Sequence, residues 1–212
     1  GALLATWAAA GLPVTLVTCT RGEQGEVIGA SLAPLEGDGP ALAAHRAREL
    51  DDAAAALGVT DRLFLDEVGG PSRFVDSGMV WDGIGRARVG AIVPEGAFVS
   101  VPVDVAAALL AEVLLSRRPA VVVTYEPSGG YGHPDHVQAH RVTMRAVEIA
   151  VGRGLPQPCV LWAALDEVAL RAGYEQCGQV SGAAGSFAFP DPLGPLPSAA
   201  VAPGEVDLVV QV

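Results

Sequence analysis

Three of the chain's four histidines fall within eight residues: His133, His136 and His140. They lie in the run Gly129-Gly130-Tyr131-Gly132-His133-Pro134-Asp135-His136-Val137-Gln138-Ala139-His140. Imidazole can ligate a metal or donate a proton near neutral pH, and a neighbouring carboxylate can orient it. Metal-assisted or acid–base chemistry is therefore the first reading of this run. A helix-capping turn with a satisfied histidine is the plainer alternative, but three histidines and an aspartate at one strand end outweigh it. His140 shares helical spacing with Val137, Met144, Val147 and Val151, so core packing or support of a ligand is as open to it as ligation.

The position of the run matters as much as its composition. It follows the apolar segment 120–125, which predicts a strand covered on both faces. It then opens a helix expected over 134–151. Pro134 suits the first helical position, and Asp135 suits the first turn. The glycines allow a ligand close to the backbone. A hydrolytic zinc needs three protein ligands and an open position. The remaining histidine, His45, sits mid-helix beside Arg46 and is expected to be solvated. The other ligands must then be carboxylates or lie outside this sequence.

Helical and strand patterns alternate along the rest of the chain. Helices are expected over 2–10, 40–57 and 102–116, and strands over 14–19, 63–65 and 159–163. This alternation predicts an α/β fold, a Rossmann-like parallel sheet with helices on both faces. Ligands in such folds sit beyond the carboxyl ends of the strands, which singles out loops 20–38, 66–100 and 126–133. Residues 1–182 read as one domain. Residues 183–212 read as an Ala/Gly/Pro-rich tail of that domain, ending in a strand over 206–212.

Composition narrows the field. The chain has 212 residues and a net charge of −11, which argues against nucleic acid and anionic membranes as partners. Half the residues are hydrophobic and 17% are charged, so a folded core is expected and disorder is not. No apolar run reaches the roughly 18–20 residues of a membrane helix. There is no Lys and no Asn, which reads as coding bias. Cys19, Cys159 and Cys177 are too few and too scattered for a disulfide framework, and free thiols in a reducing cytoplasm fit better. Cys19 ends an apolar run and is expected to be a buried structural thiol. The helical start at Ala2 without a cap, and the strand-like end, lead us to expect a piece of a longer protein.

Four ordered segments resemble one family. Residues 17–29 (VTCTRGEQGEVIG) are similar to the loop after the second strand of the LmbE/PIG-L zinc N-deacetylases. Residues 46–50 (RAREL), 73–79 (RFVDSGM) and 129–136 (GGYGHPDH) match three further segments of that family. Within it, the first loop is nearest to the members that deacetylate N-acetylglucosaminyl-inositol in mycothiol biosynthesis. The family's His-Pro-Asp-Asp-Glu motif, which supplies two metal ligands and a general base, is absent. It would lie upstream of Gly1 together with a first strand, and the fragment alone is expected to be inactive.

The resemblance implies roles residue by residue. His136 would be a Zn2+ ligand. His133 would be a protonated imidazole that stabilises the oxyanion and donates to the leaving amine, with Asp135 holding it charged. Tyr131 would be a mobile donor to the oxyanion. Asp76 and Arg46 would bind hydroxyls of the inositol and sugar, with Glu26 a weaker candidate in the same loop. Each has a plainer reading: Asp76 a turn residue, Arg46 a solvated helix position, Glu26 a surface charge, Tyr131 an apolar loop anchor. The implied activity is hydrolysis of an acetamide on an amino-sugar inositol, a small-molecule substrate. A mycothiol-conjugate amidase is the closest rival, and the single Gly132 between Tyr131 and His133 favours the deacetylase. A sugar-binding relic is the reading if the upstream motif does not exist. A dinucleotide-binding domain is disfavoured, because no G-x-G-x-x-G follows a first strand.

Overall fold

The computed structural model describes residues 1–69, 73–82, 86–179 and 190–209. Helix α1 (Ala2–Ala9) leads into strand β1 (Thr15–Thr18), then α2 (Gly39–Ala56) and β2 (Asp61–Phe64). A short antiparallel hairpin, β3 (Val80–Trp81) and β4 (Ala87–Arg88), follows. Helix α3 (Val103–Arg117), strand β5 (Val121–Tyr125), the single distorted turn α4 (Gly129–Gly132) and helix α5 (Pro134–Gly152) come next. The chain continues through β6 (Cys159–Ala163), β7 (Leu165–Asp166), α6 (Glu167–Gln179) and β8 (Ala200–Val201).

Local chemistry sets these boundaries. The Asp38 carboxylate caps α2 by accepting the Ala41 N–H at 2.9 Å, and Pro40 occupies its first turn. Helix α5 starts at Pro134, and the His133 side chain caps it. Helix α6 was not foreseen. Its cue is Asp166, whose carboxylate accepts the Ala169 N–H at 2.9 Å.

The α/β architecture with parallel strands holds. β1 pairs with β2, and β5 with β6, both parallel and each joined through a helix. Among the described residues these remain two separate pairs, with no ladder between β1 and β5. The core lies under them. Ala106, Ala107, Leu110, Ala111 and Leu114 of α3 and Val142, Ala146, Val147 and Ala150 of α5 all belong to it. The alanines let the two helices pack closely. Phe74 and Phe98, centroids 5.5 Å apart, extend this core beneath the loop that follows β2.

Two expectations need correction. Strand β5 is covered on one face only: Val122 packs on the core, while Val121, Val123 and Tyr125 stay about two-fifths exposed. β-Branched residues favour strands whether or not a face is covered, so the run looks doubly buried when it is not. The tail also does not run into a strand over 206–209, which is irregular; 210–212 and 180–189 lie outside the described residues. The described tail instead folds back. β8 pairs in parallel with β7, and the Ala199 N–H donates to the Gly130 carbonyl at 3.0 Å.

Candidate metal-dependent active site

A cavity of about 310 Å³ opens between β1 and β5. Residues 16–20 form one wall. Tyr125, His133, Asp135, His136 and Ala139 form the other, and Asp76 reaches in from the loop after β2. It runs along β1 and reaches the carboxyl ends of β1 and β5, where the topology predicts a site.

The run from β5 to α5 builds the second of these walls. Glu126, the residue after β5, is buried and organises the turn. Its carboxylate accepts the Ser128 N–H at 2.5 Å, the Gly130 N–H at 2.6 Å and the Ser198 hydroxyl at 3.0 Å. Burial alone would raise its pKa, but these donors outweigh it and hold the carboxyl below its usual range. The turn then passes through Gly129 and Gly130 at positive φ, and Gly132 lies against the Ala87 carbonyl.

His136 has the geometry of a metal ligand. Its Nδ1–H donates to the Gly129 carbonyl at 3.1 Å, which leaves Nε2 as the free lone pair. A backbone carbonyl on the far ring nitrogen is the usual support for a ligating imidazole. Burial, with His133 adding, pushes its pKa down and keeps the ring neutral, as ligation requires. Tyr125 stacks on the ring at 4.0 Å and fixes its plane. This is one donor and not a full set: among the described residues no three His, Cys, Asp or Glu side chains converge.

His133 and Asp135 depart from the arrangement the resemblance implies. The Asp135 carboxylate does not hold the His133 ring. Instead His133 Nδ1 accepts the Asp135 backbone N–H at 3.2 Å, so in this geometry Nδ1 carries a lone pair and Nε2 the hydrogen. Both Asp135 oxygens are taken by Ser77: its N–H donates to Oδ2 at 3.0 Å and its hydroxyl donates to Oδ1. Burial pushes the Asp135 carboxyl up and the nearby Asp76 charge adds to it, while the Ser77 bonds and His133 pull it back.

Tyr131 lies edge-on to His133 and His136, with centroids at 6.1 and 5.3 Å. Trp81 of the hairpin stacks on its other side at 5.7 Å. Burial, then the Asp76 charge, raises its pKa, so the phenol keeps its proton as a donor. Asp76 is buried; its Oδ1 accepts the Gly78 N–H at 2.8 Å, and its own N–H donates to Glu23 at 3.0 Å.

Arg46 and Glu26 are not brought to the cavity wall. They meet each other instead: Arg46 donates to the Glu26 carbonyl at 3.2 Å and pairs with Glu49 at 2.7 Å. His45 also pairs with Glu49, at 3.2 Å. His140 is a buried supporting residue, with Nδ1 2.8 Å from the Tyr125 carbonyl and its ring edge-on to Trp162. Cys19 lines the cavity, and burial, with Asp135 and Asp66 adding, pushes its thiol up to about 12, which makes it inert.

Residue type alone did not reveal Ser77, Glu23, Glu126 or the buried pair Arg21–Asp66. Arg21 grips Asp66 at 2.7 and 3.0 Å, touches Glu67 at 2.9 Å and stacks over Phe64 at 3.9 Å. Asp66 also accepts the Phe74 N–H at 3.0 Å, so this pair anchors the loop that carries Asp76. A lone charge directly after an apolar strand was the available cue for Glu126.

Comparison with known proteins bears on this site. The family model described as "PIG-L: GlcNAc-PI de-N-acetylase" matches residues 1–147. A Kineococcus radiotolerans protein named 1D-myo-inositol 2-acetamido-2-deoxy-alpha-D-glucopyranoside deacetylase is 45% identical over 219 residues, covering 99% of this chain and 59% of its own. A Streptomyces avermitilis protein of the same name is 52% identical over 151 residues, covering 71% and 48%. The chain thus spans about half to three-fifths of the length of these relatives. A solved N,N'-diacetylchitobiose deacetylase from Pyrococcus horikoshii aligns with TM-score 0.48 and 19% identity over 73% of this chain and 49% of that one.

Proposed function

This chain belongs to the PIG-L family, and from that premise we propose that its protein hydrolyses the acetamide of N-acetylglucosaminyl-inositol to the free amine and acetate. The names carried by these relatives support this substrate. The observation that carries the reading is His136: a neutral imidazole with Nδ1 tied to a backbone carbonyl, on the cavity wall beside His133.

Zinc is the metal we propose, and it would supply Lewis-acid polarisation of the amide carbonyl and activation of water. His136 would be one of its ligands. Among the described residues β1 and β5 each pair with one strand only, the cavity lies between them, and we propose that the other ligands and the general base reach it from a segment outside the described residues. The rest of the chemistry falls to this chain's own residues. An acetamide carbonyl gains negative charge on oxygen as water adds to carbon, and the C–N bond then breaks with a proton delivered to nitrogen. His133, whose Nε2 carries the hydrogen, would donate a hydrogen bond to that oxygen, and the amine would take the proton that the general base removes from the attacking water. The protonated Tyr131 phenol is a second donor. Asp76, with Oδ1 held by Gly78, would accept from sugar or inositol hydroxyls through its other oxygen. Arg46 and Glu26, joined to each other, would form an outer lip for the inositol. The three free thiols fit a reducing cytoplasm as the compartment, and no helix among the described residues is long and apolar enough to cross a membrane.

Assay of the whole gene product against N-acetylglucosaminyl-inositol and against a mycothiol S-conjugate tests this reading. Faster turnover of the first is expected. Preference for the conjugate would reassign the protein as an amidase, and turnover of neither would leave a sugar-binding relic.

A further inference from the structure

Ser77 is 1% exposed, in the loop between β2 and β3, yet its N–H and its hydroxyl hydrogen are both directed at the start of a helix 58 residues away. Its backbone N–H and its hydroxyl donate to the two different oxygens of Asp135. The hydroxyl in turn accepts the Val99 N–H at 3.0 Å. Asp135, 6% exposed, sits in the first turn of α5, and its own backbone N–H is the donor to His133 Nδ1. The preceding residue, Asp76, lines the cavity, and Glu23 fixes its backbone. One short segment therefore carries both a cavity carboxylate and the clamp on the helix that presents His133.

We propose that Ser77 is a positioning residue that locks the first turn of α5 through both oxygens of Asp135, and so sets the His133 ring on the cavity that Asp76 also lines. This rests on the deacetylase reading only for the reaction it serves. A carboxylate held by two donors from one buried residue has a single orientation, and the backbone it belongs to is fixed with it. Without the hydroxyl, Asp135 keeps one bond of two, and Val99 loses its acceptor. The Asp135 N–H that orients His133 is then free to shift. Misplacement of a reacting group by about 1 Å can cost a hundredfold in rate, so a partial loss of this clamp is expected to show in kcat.

The test uses the whole gene product loaded with zinc, as wild type, Ser77→Ala, Ser77→Thr, His133→Ala and the Ser77→Ala/His133→Ala double variant. Ser77→Ala should lower kcat by about tenfold or more with KM within about twofold, and Ser77→Thr, which keeps the hydroxyl, should recover most of it. In the His133→Ala background the same change should cost less than about twofold, because the group it positions is gone. Nitrogen NMR of 15N-histidine protein gives a readout independent of turnover. Ser77→Ala should move the His133 ring signals, assigned by their loss in His133→Ala, and leave those of His45 in place. Equal losses in both backgrounds, or an unmoved His133 signal, would overturn the proposal. Should the alanine variant not fold, Ser77→Cys fills the same space with a weak donor and answers by the same signals. If wild type turns over no acetamide, the functional reading fails, while the His133 signals still decide the role of Ser77.

Discussion

Gly132→Ala would place a methyl group where the chain has no room for one. Gly132 has φ +91°, and a Cβ there would lie 2.5 Å from the Ala87 carbonyl oxygen of β4. Two costs follow. A non-glycine residue in this backbone region is strained by about 1–3 kcal/mol. Pushing the β4 backbone aside adds about 1–3 kcal/mol, as for other overpacked sites. Gly130, two residues earlier, provides the control: its φ is +81°, but a Cβ there meets nothing within 4 Å. Gly130→Ala should therefore show the strain cost alone. The two variants should differ by about 1–3 kcal/mol, or roughly 2–12 °C in Tm for a domain of this size. Urea and thermal denaturation of both variants, in the same protein, measure the difference. Gly132→Ala should also lose turnover, since Tyr131 and His133 flank it. If Gly132→Ala is no less stable than Gly130→Ala, the hairpin does not pack on the turn before α5, and the positions of Tyr131 and Trp81 fail with it.

Other perturbations probe the supports of the site. Arg21→Met should cost about 3–5 kcal/mol in denaturant melts, because it leaves the Asp66 carboxylate buried without its cation; a loss below 1 kcal/mol would show the pair does not anchor the loop. Glu126→Gln removes one of the acceptors that hold the turn and should cost about 1–3 kcal/mol at neutral pH. The folded Glu126 carboxyl is held low, so its contribution is complete above the ordinary glutamate value of about 4.3 and is lost as pH falls through the folded value. The stability gap between wild type and Glu126→Gln should therefore narrow on acidification; a gap that stays constant to pH 3 would contradict the ionised carboxylate. Cys19→Ser should leave the pH dependence of turnover unchanged, because the thiol stays protonated throughout the working range; a shifted profile would show that it ionises.

The sequence made some parts of this structure plain and hid others for physical reasons. Helices α2, α3 and α5 were legible because apolar periodicity and terminal signals agree, as at Asp38, Pro40 and Pro134. The histidine run was legible because three imidazoles rarely cluster without cause. The layout beneath it was not. Ser77 and Glu126 are ordinary loop residues until folding buries them, and burial is a property of contacts between distant segments. Pattern failed at β5 for the opposite reason: Val121 and Val123 look like core residues, yet both stay about two-fifths exposed. Asp135 shows a third kind of limit. A carboxylate one residue from a histidine invites pairing with it, but its two oxygens face Ser77, and only its backbone N–H reaches the ring. Arg46 and Glu26 sit in segments that match the family, yet their first partners are each other and Glu49.

Metal content of the whole gene product, measured by elemental analysis alongside turnover for wild type and His136→Ala, meets the central claim most directly. Zinc close to one per chain in the wild type, falling well below that in the variant while its melt remains cooperative, is the expected result. Zinc retained at the wild-type level in His136→Ala would contradict the assignment of this imidazole, and the hydrolase built around it.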